Sequence, residues 1–169
     1  MKPANHQLII ADTGPLIVLA IAGELQLLQH LFEQALIPEA VCGELCIRSS
    51  RSGAAALAAA LNAGWLKTVT SDPPAKRLLH TLDRGEAEAI TLAGSTSLPL
   101  LIDETRGRIA ARREGIRIFG TGSLLLQAKR QKLIPLVEPI LNRMQESGYR
   151  ISTPLRNEIL KRAGEPFQR

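Results

Sequence analysis

The apolar residues of this chain fall into short unbroken runs, separated by longer stretches in which they recur at helical spacing. Runs such as Leu8-Ile9-Ile10-Ala11, Ala35-Leu36-Ile37 and Leu98-Pro99-Leu100-Leu101-Ile102 have the length and continuity of strands covered on both faces. The pattern predicts strands near residues 7–12, 35–37, 66–69, 98–102 and 116–118. Strand-length runs alternating with helical segments are the signature of repeated β-α units, so the expected fold class is α/β, with a central parallel sheet between helices.

The helical segments carry their own start and stop signals. A helix-like run follows Asp12-Thr13-Gly14-Pro15, and Pro38 is placed as the first residue of a helix over 38–47, where its missing N–H costs nothing. Gly53 and Gly64 bracket an alanine-rich helix, and Ala87, Ile90 and Ala93 define one side of a helix from Gly85 to Ala93 that Glu86 opens. Thr121-Gly122-Ser123 precedes a helix from Leu124 to Lys132. Thr153 and Pro154 read as the cap and first residue of a last helix reaching Ala163. No linker or internal repeat interrupts the 169 residues, so one domain is expected, with a helical extension from about residue 135.

Composition narrows the picture modestly. The net charge of +5 is consistent with a polyanionic partner, whereas three Phe, one Tyr and one Trp are too few for a platform of stacked bases. Nucleic acid would be held chiefly through phosphates. Cys42 and Cys46 are the only cysteines, too few for a structural zinc site, and read as reduced, half-buried residues. Leu16 to Gly23, ending in Ala20-Ile21-Ala22, imitates an export signal after Lys2, but Asp12 and Pro15 interrupt it. A cytoplasmic protein is expected, and no stretch is long and apolar enough to span a bilayer.

The chemistry lies where the runs end. Asp12 closes the first strand and Asp103-Glu104 closes the fourth, at the sheet edge where α/β folds bind ligands. Glu44 and Glu86 lie on helices that could pack beside them. Each acid alone has a structural reading, as a cap, a turn residue or a solvated helix position. Together, four converging carboxylates repel one another, and a divalent cation relieves that repulsion. Oxygen-only ligands favour Mg²⁺ or Mn²⁺ over zinc, and such an ion can activate water against a phosphodiester.

These segments resemble the ordered motifs of the PIN-domain family. The resemblance rests on Leu8-Ile-Ile-Ala-Asp12-Thr-Gly-Pro-Leu-Ile17, Ile37-Pro-Glu-Ala-Val-Cys-Gly-Glu44-Leu45, Gly85-Glu86-Ala-Glu88-Ala-Ile90 and Leu101-Ile-Asp103-Glu104. Thr105-Arg106-Gly107-Arg108-Ile109-Ala110 and Gly120-Thr121-Gly122-Ser123-Leu124-Leu125, followed by Ala128-Lys129, look like the VapC-toxin-like PIN nucleases. The resemblance implies a three-layer α/β/α fold and Mg²⁺- or Mn²⁺-dependent endoribonuclease activity, often as the toxin of a toxin-antitoxin pair. RNA is then the substrate, a small antitoxin protein and a second copy of the chain are the implied partners, and no membrane is involved. Carried over residue by residue, Asp12, Glu44, Glu86 and Asp103 match the family's acidic positions, with Asp12, Glu86 and Asp103 as the metal ligands. The third position is commonly Asp in the family; here Glu86 stands there, and Glu88 is a competing candidate.

Secondary features surround these acids. Thr13 could hydrogen-bond a carboxylate or serve only the turn, and Thr121 could help hold a phosphate at a helix start or simply cap it. Arg106, Arg108, Arg112 and Arg113, with Lys129, Arg130 and Lys132, are candidate RNA contacts or an ordinary solvated face. His6, His30 and His80 match no motif. Asp12-Thr13-Gly14 also imitates the aspartic-protease triplet, but those enzymes are almost wholly β. The principal alternative is a non-catalytic PIN-like module that docks nucleic acid or protein.

Overall fold

The computed structural model describes residues 8–167. His6 and the first residue of the expected opening strand lie outside that range. Five strands form one all-parallel sheet: β1 (Leu8–Ala11), β2 (Gln34–Pro38), β3 (Leu66–Val69), β4 (Leu100–Leu101) and β5 (Ile118–Phe119), in the order β3-β2-β1-β4-β5. Helices cover both faces, giving a three-layer α/β/α architecture. The first half comprises α1 (Thr13–Ile21), α2 (Gln26–Leu31), α3 (Glu39–Glu44), α4 (Ala54–Ala63) and α5 (Lys76–Leu79). The second comprises α6 (Arg84–Thr96), α7 (Thr105–Arg113), α8 (Thr121–Arg130), α9 (Glu138–Glu146) and α10 (Thr153–Ala163).

The unbroken apolar character of β1 follows from its place at the centre. It pairs with β2 through Leu8–Gln34, Ile9–Ala35 and Ile10–Leu36, and with β4 through Ile10–Leu100 and Ala11–Leu101. Ile9, Ile10 and Ala11 have no exposed surface, so truncating either isoleucine to alanine costs about 2–5 kcal/mol. The long helix α6 packs across β2, β1 and β4 with Ala87, Ala89, Ile90 and Ala93 buried. Chain order reverses between β1 and β4: β2 and β3 build outward on one side, β4 and β5 on the other. That switch point opens a crevice at the carboxyl ends of β1 and β4.

Several element boundaries differ from the sequence expectation. Pro38 ends β2 and caps α3 from an extended conformation, and α3 stops at Glu44 rather than 47, because Cys46 takes a left-handed backbone with φ of 49°. Cys42 and Cys46 are both half-buried free thiols. Helix α6 is longer than 85–93, since Asp83 caps it and the alanine-rich chain runs on to Thr96. Helix α8 begins at Thr121, with Gly120 as its cap, and Ser152 rather than Thr153 caps α10 by accepting from the Leu155 N–H. Gly53 and Gly64 flank α4 as expected, both left-handed.

Helix α10 is tied back by one acid that the hydrophobic pattern does not foretell. Glu165, only 6% exposed, accepts from Lys129 Nζ at 2.6 Å and from the Val137 and Glu138 N–H groups at 2.7 and 2.8 Å. It therefore satisfies the opening of α9 and a cation of α8 at once. Ile159 and Leu160 seal the same contact into the core. Glu165→Ala leaves these buried donors unpaired and should lower stability by about 2–3 kcal/mol, measured by urea unfolding; a change within about 0.5 kcal/mol would mean water replaces the carboxylate without loss.

Candidate active site

Asp12 follows directly on β1, its N–H bonded to the Leu101 carbonyl of β4 at 3.0 Å, so its carboxyl is fixed at the switch point. It stands at the cap position of α1 yet makes no capping hydrogen bond with its side chain. Asp12 is 6% exposed, and its Oδ1 is buried without any hydrogen-bond partner. Burial, and after it the charges of Glu86, Asp83 and Glu44, push its pKa up to about 7 against the pull of the Thr13 N–H.

Around it lies a cleft of about 630 Å³ bounded by Asp12, Thr13, Glu44, Asp83, Glu86, Glu104 and Arg106 among others. Two arrangements hold the acids there. Glu44 reaches in from the end of α3, accepting from Thr13 Oγ1 at 2.6 Å and the Gly85 N–H at 3.2 Å. A Cβ on Gly85 would sit 2.5 Å from Glu44 Oε1, so glycine is what lets this carboxylate lie on α6. Asp83 and Glu86 form a reciprocal capping box: the Glu86 N–H donates to Asp83 Oδ1 at 2.8 Å and the Asp83 N–H to Glu86 Oε2 at 3.3 Å. Glu86 is also pushed up, first by burial and then by Asp83, Glu104 and Glu44.

The other candidates separate. Glu88 is buried outside the cleft, accepting from Arg84 Nε at 2.8 Å and the Ala40 N–H at 3.1 Å, which ties α6 to α3. Asp103 also turns away from Asp12. Its carboxylate accepts from the Thr121 N–H at 2.7 Å, Thr121 Oγ1 at 2.6 Å and the Tyr149 hydroxyl at 2.9 Å, and it lines a neighbouring cavity. Thr121 thus holds a carboxylate. Glu104, the next residue, lines that neighbouring cavity too and also reaches the acidic cleft. Burial, followed by the Asp103 charge and hydrogen bond, shifts the Tyr149 hydroxyl well above its ordinary value, keeping it a donor.

The basic residues scatter likewise. Arg106 lines the acidic cleft, and Arg108 donates to the Ile102 carbonyl at 3.0 Å. Arg112, Arg113, Arg130 and Lys132 are exposed, while Lys129 is taken by Glu165. His30 contacts the Gln26 carbonyl of its own helix and His80 is exposed. Sequence reading passed over Asp83, Glu104 and Tyr149 as site residues. The spacing Asp83-x-x-Glu86 is a readable capping-box signal and Glu104 adjoins a chosen acid, but nothing near Tyr149 marks it.

The donor set suits a hard cation: every acid lining the cleft offers oxygen, and the orphaned Asp12 Oδ1 lacks only a positive partner. Among the described residues, no three His, Cys, Asp or Glu side chains are already drawn close enough to hold a metal ion.

A five-stranded parallel sheet between helices, with an acidic crevice at its switch point, defines a three-layer α/β/α fold. The chain belongs to the PIN-domain family: the family model described as a PIN domain (DUF3368) matches residues 8–165. Among solved structures, the fold is similar to a PilT N-terminus domain protein, SSO1118, from the hyperthermophilic archaeon Sulfolobus solfataricus P2. The TM-score is 0.53 at 17% identity, covering 72% of this chain and 92% of that one. Comparison with curated proteins gives no significant match. Among the described residues, no helix is long and apolar enough to cross a membrane.

The shifted Asp12 makes a signed prediction for the metal-free protein. Its folded pKa, about 7, lies above the ordinary 3.8, so its contribution to stability is full below pH 4 and is lost as pH rises through 7. In chelator at pH 8, Asp12→Asn should melt above wild type by roughly 4–8 °C, the equivalent of about 2 kcal/mol in a domain of this size. The gap should close towards pH 4. If Asp12→Asn melts lower at pH 8, the side chain is a structural element and not a destabilised charge.

Proposed function

We propose that this protein is a Mg²⁺- or Mn²⁺-dependent endoribonuclease, acting on RNA phosphodiesters at the cleft around Asp12. The observation that carries the reading is that Asp12, one carboxyl oxygen of which is buried without a partner, lines a cleft with further acids that offer only oxygen. Asp12, Glu86 and Glu104 are the side chains that would hold the ion. A divalent cation bound there would neutralise charge on the phosphate and lower the pKa of a water poised to attack it.

The residues themselves have separable tasks. Asp12, fixed by the β1-β4 hydrogen bond, supplies the rigid ligand, while Glu86 and Glu104 adjust around it. Glu44, clamped between Thr13 and Gly85, is placed to orient a water through the lone pairs its two hydrogen bonds leave free. Arg106, on the cleft wall, is placed for a phosphate oxygen and offsets part of the local negative charge. Asp103 acts on this site at one remove: by anchoring to Thr121 and Tyr149 it fixes the strand end that carries Glu104. The role of toxin, countered by a small antitoxin protein and exercised as a homodimer, is part of the same proposal and rests on the family resemblance.

The test is cleavage of a mixed RNA pool with Mn²⁺ or Mg²⁺, beside identically purified Asp12→Ala and an EDTA control. Wild type should cut, and the controls should be slower by about a thousandfold or more, the several kcal/mol a metal supplies. Equal behaviour of all three would leave a non-catalytic docking role. Glu86→Gln should be as silent as Asp12→Ala, whereas Glu88→Gln should keep its rate, since Glu88 faces Arg84 and Ala40.

Gly85→Ala separates site from fold. The three atoms nearest the added Cβ all belong to the Glu44 carboxylate, the far end of a long side chain, so the carboxylate gives way and the helix gains the usual advantage of Ala over Gly. Cleavage should fall about 10–100-fold with Tm unchanged or slightly raised. Unchanged cleavage would show that Glu44 is dispensable.

A further inference from the structure

The cavity that takes in Asp103 is larger than the acidic cleft, about 680 Å³, and shares Glu104 with it as a common wall. It runs between the starts of α7 and α8 and the face of α10, closed by the segment from Tyr149 to Ser152. Its lining combines two chemistries. Leu126, Ile151 and Leu155 provide apolar surface, and Arg108, Arg150 and Arg162 bring guanidinium groups. Arg150 is exposed, and no ion pair engages it among the described residues. Arg108 spends one nitrogen on Ile102 and Arg162 one on Glu158, leaving further N–H donors on each.

Three carboxylates, of Asp103, Glu104 and Glu158, line the same space and balance the three arginines. A balanced cavity disfavours a dense polyanion such as a free polyphosphate. Apolar surface and guanidinium planes suit a nucleobase, which stacks on them, and the Glu158 oxygen not taken by Arg162 can accept its amino hydrogens. Arg150, at the rim, suits the one phosphate that accompanies it. We infer that this groove is a nucleoside subsite, seating the nucleotide next to the scissile phosphate of a single RNA strand threaded across Glu104. The inference deepens the ribonuclease reading and rests on it for the direction of the strand. It also gives the C-terminal helices a role in choosing where the RNA is cut.

The test uses the full chain and a short labelled single-stranded RNA. Binding is read by fluorescence anisotropy in EDTA, where nothing is cleaved, and KM and kcat are read with Mn²⁺. Two variants enter the groove from its exposed side: Arg150→Ala removes the rim cation, and Ser123→Trp, on the outer face of the first turn of α8, fills the opening. Lys67→Ala removes an equal charge at an exposed position of β3, away from both cavities. Arg150→Ala and Ser123→Trp should each weaken binding about five- to tenfold and raise KM alike with kcat held, while Lys67→Ala stays within about twofold.

If both groove variants bind and cleave as wild type does, the subsite is overturned while the ribonuclease reading stands, and the groove passes to a protein partner. RNA binding that depends on Arg150 and Ser123, in a protein that never cuts, keeps the subsite and removes hydrolysis. A wild type that neither binds nor cuts removes both. Melting temperatures matching wild type certify that each variant is folded.

Discussion

A carboxylate oxygen buried without a hydrogen-bond partner is costly, and the arrangement around Asp12 leaves its Oδ1 no way out. The residue leaves the central strand, its amide is locked to β4, and its side chain is covered on nearly every side. A surface aspartate would rotate into water; this one meets further acids. The cost shows as an upward shift of its proton affinity, and burial contributes more to that shift than any neighbour does. An acid under this pressure has two remedies, a proton or a cation, and oxygen-only surroundings would suit a hard cation.

The rest of the site manages that pressure with ordinary helix chemistry. The Asp83–Glu86 capping box stabilises the start of α6 and at the same time aims two carboxylates at the crevice. The glycine between them removes a side chain where Glu44 must lie. Stability and chemistry therefore draw on the same few residues, and the first turn of α6 could not be redesigned for one without disturbing the other. At the end of β4 two neighbouring acids divide the labour: Asp103 fastens the strand end to α8 and Tyr149, and Glu104 reaches the cleft. Tyr149 lies between α9 and α10, so the loop joining the C-terminal helices is hydrogen-bonded to the carboxylate that adjoins a cleft acid.

Much of this was legible beforehand, for reasons that can be named. A strand buried on both faces must be written in continuous apolar residues, so β1 and the Ala35-Leu36-Ile37 run of β2 declared themselves, and a charge terminating such a run marks the strand's mouth. Asp12, Glu44 and Glu86 were readable because each sits at an element's end with a distinctive local sequence. The choice between Asp103 and Glu104 was not, because both follow the same strand and the direction each takes is set by partners 18 and 46 residues further on. Glu86 and Glu88 are both buried and on one helix, and only the position of Arg84 and of the α3 N–H groups sorts them. Short helices such as α2 and α5 lack the periodic length that a pattern can register.

Bulk charge was the weakest guide. The surplus of +5 suggests a basic surface, yet the basic residues are partly committed to the fold: Lys129 to Glu165, Arg143 to Glu24 and the Ala22 carbonyl, Arg156 to a trio on α9. Fewer remain to meet a polyanion than the total implies, and at the cleft itself the local balance is negative. Under the proposed reading, a phosphodiester approaching that cleft without a cation would meet net repulsion. Arg106 softens it without cancelling it, because a single guanidinium faces several carboxylates.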